Sequence, residues 1–201
     1  MKKKEALIIV DYQNDFAHEK GSLYVNWGEK LLWYINHIIW EIKLKAWIII
    51  STQDWHPNNH TSFACMHNIP NFSTFNNEVK WPVHCVQNTW WSEFFSGLDI
   101  NSIDRKIIKW FNVDKECYSW FWWIEKTSKK TLNEVLLEEK IKILHIVWLA
   151  TDFCVSSTAE DAIKNKYEVN LHIRGIAWVY ATPESYEAIP NMQKKWVKIF
   201  T

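Results

Sequence analysis

Ile143-Leu-His-Ile-Val-Trp-Leu-Ala-Thr-Asp-Phe-Cys154 runs directly into Val155-Ser-Ser-Thr-Ala-Glu-Asp-Ala-Ile-Lys-Asn165. The first half is apolar and β-branched, as expected of a strand buried on both faces of a parallel sheet. Thr151 and Asp152 form a polar loop at its carboxyl end, after which Val155, Ala159 and Ala162 recur on one face of a helix. Strand, loop and helix in that order make the repeating unit of α/β folds. Cys154 sits at the junction, where unsatisfied N–H groups and the helix dipole favour a thiolate and can hold an oxyanion. A buried structural cysteine would suit the same context, so its meaning depends on its neighbours elsewhere in the chain.

The 201 residues, 48% hydrophobic and 23% charged, suffice for one well-buried domain spanning 1–201. Twenty-three basic and 23 acidic side chains cancel, leaving no global field to draw nucleic acid or an anionic membrane. Neither is expected as a partner, and a homo-oligomer stays open. The apolar run Ala6 to Val10 after Met1-Lys-Lys-Lys is too short for a signal sequence, and no window reaches membrane-spanning length. Cys65, Cys85, Cys117 and Cys154 include no C-x-x-C pair, which suits thiols in a reducing compartment and a cytoplasmic protein.

Glycine and tryptophan are out of proportion. There are 4 Gly and 15 Trp, against about 14 Gly expected at this length. Many Trp occupy glycine-like places, such as Asn26-Trp27-Gly28 in a turn and Ala46-Trp47 or Lys195-Trp196 just before strands. We read every Trp except Trp55 and Trp81 as a glycine codon, UGA, rendered as tryptophan by the wrong genetic code, with a truly Trp-rich protein as the competing reading.

In chain order, Ala6 to Val10 is a second continuous apolar strand, and it delivers Asp11 at its carboxyl end. Ligands of open α/β sheets bind off that end. Glu29 to Lys45 has the helical period of a crossover, and Trp47 to Thr52 is the next strand. That strand runs into Gln53-Asp-Trp-His-Pro-Asn-Asn-His60. Asp54, His56 and His60 are ligand types for Zn, Mn or Fe, although a polar loop yields Asp-x-His by chance as well. Residues Ala64 to Lys80 read as a loop, followed by Trp81-Pro-Val-His-Cys-Val86, where His84 can complete the metal set and Cys85 reads as structural. Ile103 to Lys109 is a strand ending on Lys109, and Thr127 to Lys140 is a helix with Thr131 and Glu134 spaced as a capping pair. Tyr167 to Arg174 and Trp196 to Phe200 are further strands, with a short helix from Pro183 to Met192 between them. The alternation predicts a doubly wound, mostly parallel sheet of about six strands with helices on both faces.

The segments Val10-Asp-Tyr-Gln-Asn-Asp-Phe16, Thr52-Gln-Asp-Trp-His-Pro57, Asn59-His-Thr-Ser-Phe63, Trp81 to Val86, Lys109 with Tyr118-Ser119, and Leu149 to Val155 resemble, in order, the nicotinamidase branch of the isochorismatase-like cysteine hydrolases. With the suspect Trp read as Gly, the stretches around Lys109, Tyr118 and Val147 come closer to the family pattern. The resemblance implies a hydrolysis of nicotinamide to nicotinate and ammonia, with Cys154 as nucleophile, Asp11 as base, Lys109 beside both, and the backbone N–H groups of Ala150 and Cys154 as oxyanion hole. It implies one divalent ion, Zn, Mn or Fe, held by Asp54, His56 and His84, with His60 as a fourth ligand directly or through water. Phe16, Trp81 and Tyr118 would wall the substrate ring. A relative acting on another small amide, and a non-catalytic binding relative, are the competing readings.

Overall fold

A computed structural model describes residues 3–108, 113, 118–148, 151–178 and 183–201. The strands of its principal sheet are β1 (Lys4–Val10), β2 (Ile48–Gln53), β5 (Arg105–Ile108), β6 (Ile124–Glu125), β7 (Ile141–Trp148), β8 (Glu168–Ile176) and β9 (Lys198–Phe200). A separate hairpin pairs β3 (Thr74–Phe75) with β4 (Glu78–Val79). The helices are α1 (Asn14–Ala17), α2 (Leu32–Leu44), α3 (Leu132–Glu138), α4 (Ser156–Lys164) and α5 (Pro183–Lys194).

The sheet order is β6-β5-β2-β1-β7-β8-β9, parallel throughout except for the antiparallel edge strand β6. The chain therefore builds outward from β1 through β2 to β5, then returns to the other side of β1 with β7. That reversal opens a crevice at the carboxyl ends of β1 and β7, the usual ligand position in such sheets. Asp11 and the segment leading to Cys154 leave from those two ends.

Alternate residues of β1 feed two cores. Leu7 and Ile9 pack with Ile35, Ile38, Ile39 and Ile42 of α2. Ala6, Ile8 and Val10 pack with Leu132, Val135 and Leu136 of α3, Ala159 and Ala162 of α4 and Met192 of α5. Each of the α2 isoleucines contributes roughly 2 kcal/mol through burial. At the start of α3, Thr131 Oγ1 accepts from the Glu134 N–H while the Glu134 carboxylate accepts from the Thr131 N–H, the capping box that the spacing predicts.

The expected doubly wound, mostly parallel sheet is present, and the structure corrects one expectation and adds two details. Among the described residues the sheet has a seventh strand, the two-residue β6, too short to leave a pattern in the sequence. The stretch 64–80 contains the small hairpin, its turn made by Asn76 and Asn77 at φ 52° and 62°. Asn suits that left-handed turn conformation. Between Asp11 and Gly21 the chain forms the single-turn helix α1, below the length at which periodicity is visible.

Three of the suspect Trp hold left-handed backbone, with φ 68° at Trp27, 83° at Trp148 and 72° at Trp196. Bulky L residues pay for that conformation where glycine does not. Trp33 and Trp40 lie within α2 and Trp120 is fully buried, so these places carry no such backbone signal.

Candidate active site and metal centre

Asp11 follows the last residue of β1 and is buried, with φ 54°. Its carboxylate does not rely on luck for its direction. Thr52 Oγ1 donates to Asp11 Oδ1 at 2.6 Å and accepts from the Asp11 N–H at 3.0 Å, so one hydroxyl of the adjacent strand fixes both main chain and side chain. Nothing in the sequence marks Thr52 for this role, because a threonine on a buried strand is ordinarily a packing residue.

Cys154 lies in a π-helical turn, Thr151–Val155, that continues into α4. The expected simple passage from strand to helix N-terminus is thus corrected to a widened turn, a form frequent at functional sites. The Thr151 N–H and hydroxyl both donate to the Ala177 carbonyl, at 2.9 and 2.7 Å, tying the turn to the end of β8. Cys154 is half-buried. Lys109 and Ala150 lie outside the described residues, and so does the Lys109 contact to this pair.

The loop after β2 meets the segment 81–86. Asp54, His56 and His84 are all buried and bring one ligand atom each to within 4.8 Å of one another, the one such group of three among the described residues. Asp54 Oδ2 is 3.5 Å from His56 Nε2 and 3.8 Å from His84 Nε2. Ligand atoms around a tetrahedral ion bonded at about 2.0–2.1 Å sit roughly 3.3 Å apart, so the separations fit a shared cation. The His84 tautomer agrees. His84 Nδ1 is 2.8 Å from the Pro82 carbonyl, which can only accept, so Nδ1 carries the proton and the Nε2 lone pair faces Asp54.

His60 differs. Its ring centre is 4.5 Å from that of His56, but it is not in the group of three. Its Nδ1 accepts from the Ser62 N–H at 3.2 Å and lies 2.7 Å from Ser62 Oγ. Ser62 thus engages Nδ1 of His60 through both main chain and side chain.

The aromatic residues gather around the same place. Phe16 stands 5.7 Å from the His84 ring. Trp81 and Tyr118 are joined through Phe153, their ring centres 5.0 and 5.4 Å from its own. Phe153, the neighbour of Cys154, went unremarked in the sequence because an aromatic after a buried strand reads as core. Asp15 was overlooked as well: its buried carboxylate accepts from the Cys85 N–H at 2.6 Å and the Ser22 N–H at 2.9 Å. It thereby holds the peptide following His84, where Cys85 has φ 45°.

Residues 5–199 match the Isochorismatase domain family. The chain is 32% identical over 201 residues to the nicotinamidase of Escherichia coli K12, covering 98% of this chain and 94% of that one. The zinc complex of pyrazinamidase from Pyrococcus horikoshii superposes with a TM-score of 0.81 at 34% identity, over 98% of this chain and 99% of that one. PnC1 of L. infantum in complex with nicotinate gives 0.83 at 31% identity, over 99% and 93%. A family match over nearly the whole chain, on a doubly wound sheet whose switch point carries Asp11 and Cys154, makes this protein a member of the isochorismatase domain family.

Proposed function

We propose that the protein is a nicotinamidase, a metal-dependent cysteine amidohydrolase that converts nicotinamide and water to nicotinate and ammonia and so feeds NAD salvage. The observation that carries this reading is the buried Asp54, His56 and His84 group, set beside a sheet crevice served by Asp11 and Cys154. A ligand set of this kind distinguishes the reading from hydrolysis of an unrelated small amide, which needs no cation to orient a ring nitrogen.

In the proposed reaction Asp11 takes the Cys154 thiol proton and Sγ attacks the carboxamide carbon. The N–H groups of Ala150 and Cys154 stabilise the tetrahedral oxyanion. The carbon–nitrogen bond then breaks, Asp11 returns the proton to the departing ammonia, and water attacks the resulting thioester to release nicotinate and restore the thiol. Lys109 favours the ionised carboxylate and thiolate. Asp54, His56 and His84 would hold one divalent ion, Zn, Mn or Fe, which when bound polarises and orients the pyridine nitrogen. His60 supports that site directly or through water. Phe16, Trp81 and Tyr118, with Phe153, form the walls of the ring pocket.

Ammonia release from nicotinamide tests the assignment. Cys154→Ala is expected to lose at least about 10³-fold in kcat/KM, the scale on which a nucleophile acts. Equal rates for variant and wild type would remove Cys154 from the mechanism.

A further inference from the structure

Gln13 is fully buried and makes three hydrogen bonds through one amide. Its Oε1 accepts from the Asp54 N–H at 2.8 Å, and its Nε2 donates to the Asp54 carbonyl and to the Ser92 carbonyl, both at 2.7 Å. The side chain therefore pairs with the Asp54 main chain as a neighbouring strand would, at the point where β2 has just ended. The amide's orientation is fixed by its partners, because an N–H must meet oxygen and two carbonyls must meet N–H.

The partners are themselves held. The Gln13 N–H donates to the Asp11 carbonyl at 2.8 Å, the Asn14 N–H to the Glu93 carbonyl at 2.9 Å, and the Phe95 N–H to the Tyr12 carbonyl at 2.7 Å. Gln53 Nε2 donates to the same Ser92 carbonyl at 2.7 Å. Three segments, 11–14, 53–54 and 92–95, are thus tied together beneath the ligand group. Gln13 is the member that reaches from the strand end bearing Asp11 to the residue bearing the metal carboxylate.

We propose that Gln13 is a positioning residue for the metal centre: by clamping both main-chain groups of Asp54 it aims that carboxylate at His56 and His84 and sets the centre's place relative to Asp11. The inference deepens the metal-dependent reading above and rests on it. No other side chain makes all three bonds. Glu lacks the donors, Met lacks donors and has only a weakly accepting sulfur, and Asn is one methylene short. Groups that orient a ligand without touching the metal commonly change metal affinity 10- to 100-fold.

The test compares wild type with Gln13→Met, which keeps length and volume, after metal stripping. Zn²⁺ affinity is measured by competition with a chromophoric chelator, and thermal unfolding is followed in the metal-free state. Metal affinity at least about tenfold weaker in a folded Gln13→Met is expected, with kcat falling and KM for nicotinamide changing less. Affinity within twofold of wild type, whatever the change in Tm, would make Gln13 merely structural and overturn the proposal. Wild type that binds no divalent ion would instead end the metal reading and this one with it. Should Gln13→Met not fold, hydrogen exchange of metal-free wild type decides. An Asp54 amide as protected as those of the β2 interior supports the clamp, and rapid exchange refutes it.

Discussion

Asp11 occupies a left-handed backbone conformation that non-glycine residues adopt at a cost, commonly near 1 kcal/mol or more, and Thr52 holds it there by two hydrogen bonds. Thr52→Val keeps the shape of the buried side chain while removing both bonds. It is expected to lower kcat about 10- to 100-fold with KM nearly unchanged, and steady-state kinetics that show an unaltered kcat would mean the carboxylate needs no such guide. The tryptophans pose the opposite problem, strain with little in return beyond the Lys30 ammonium that lies 3.3 Å from the Trp27 ring centre, a contact worth little at an exposed site. Trp27 and Trp196 are mostly exposed, at 64% and 84%, yet hold φ near 70°. Trp27→Gly and Trp196→Gly should each stabilise the fold by about 1 kcal/mol, read as a higher urea midpoint, and a lower midpoint in both would contradict the strain argument. Trp148 is different: it is fully buried, its Nε1 donates to the Asp11 carbonyl at 3.0 Å, and its ring meets Tyr12 edge-on at 4.4 Å. Sequencing the gene settles the origin of all three, with UGA codons expected and UGG ending the recoding idea.

At the scale of elements, the end of the sheet remote from Asp11 carries a buried polar chain. Glu5 of β1 bonds His145 Nε2 of β7 at 2.8 Å, His145 Nδ1 faces His172 Nε2 of β8 at 2.8 Å, and His172 Nδ1 lies 3.2 Å from the Tyr34 hydroxyl of α2. Burial, then the neighbouring His145 and Lys45, push His172 down to about 4. Burial also lowers His145, against the opposing pull of Glu5. Between pH 4 and 6.5 the unfolded chain takes up a proton at His172 that the folded chain refuses. Stability from this source is therefore complete above about pH 6.5 and is lost as the pH falls toward 4, by an amount on the order of 2 kcal/mol. Thermal unfolding should show Tm falling by about 4–8 °C from pH 7.5 to 4.5, with a flatter dependence in His172→Gln. An equally steep fall in that variant would place the loss in other groups.

For the molecule as a whole, the proposed activity needs two chain regions to meet across β1. Chelator treatment is expected to abolish nicotinamide hydrolysis and lower Tm, with Zn²⁺, Mn²⁺ or Fe²⁺ restoring both; full activity after verified metal removal would exclude a role for Asp54, His56 and His84. Strand identity, helix faces and the order of strand ends were legible in the sequence, since Ala6 to Val10, Leu31 to Ile42 and Ile143 to Val147 repeat at periods set by local geometry. Asp11, Asp54, His56, His84 and Cys154 stood out only as a set, because each is ordinary at a strand end or in a polar loop and it is the order of the motifs that resembles the cysteine hydrolases. The roles of Gln13, Asp15, Thr52 and Phe153 were not legible. Each acts on a main-chain group or ring far away in sequence, 41 residues for Gln13 with Asp54 and for Thr52 with Asp11, 70 for Asp15 with Cys85. The sequence by itself determined the strands, the helix faces and which candidate residues stand at the strand ends, because hydrophobic periodicity and turn chemistry are local. Only the tertiary structure decided how those residues are aimed, because direction is fixed by hydrogen bonds that form after distant segments have packed.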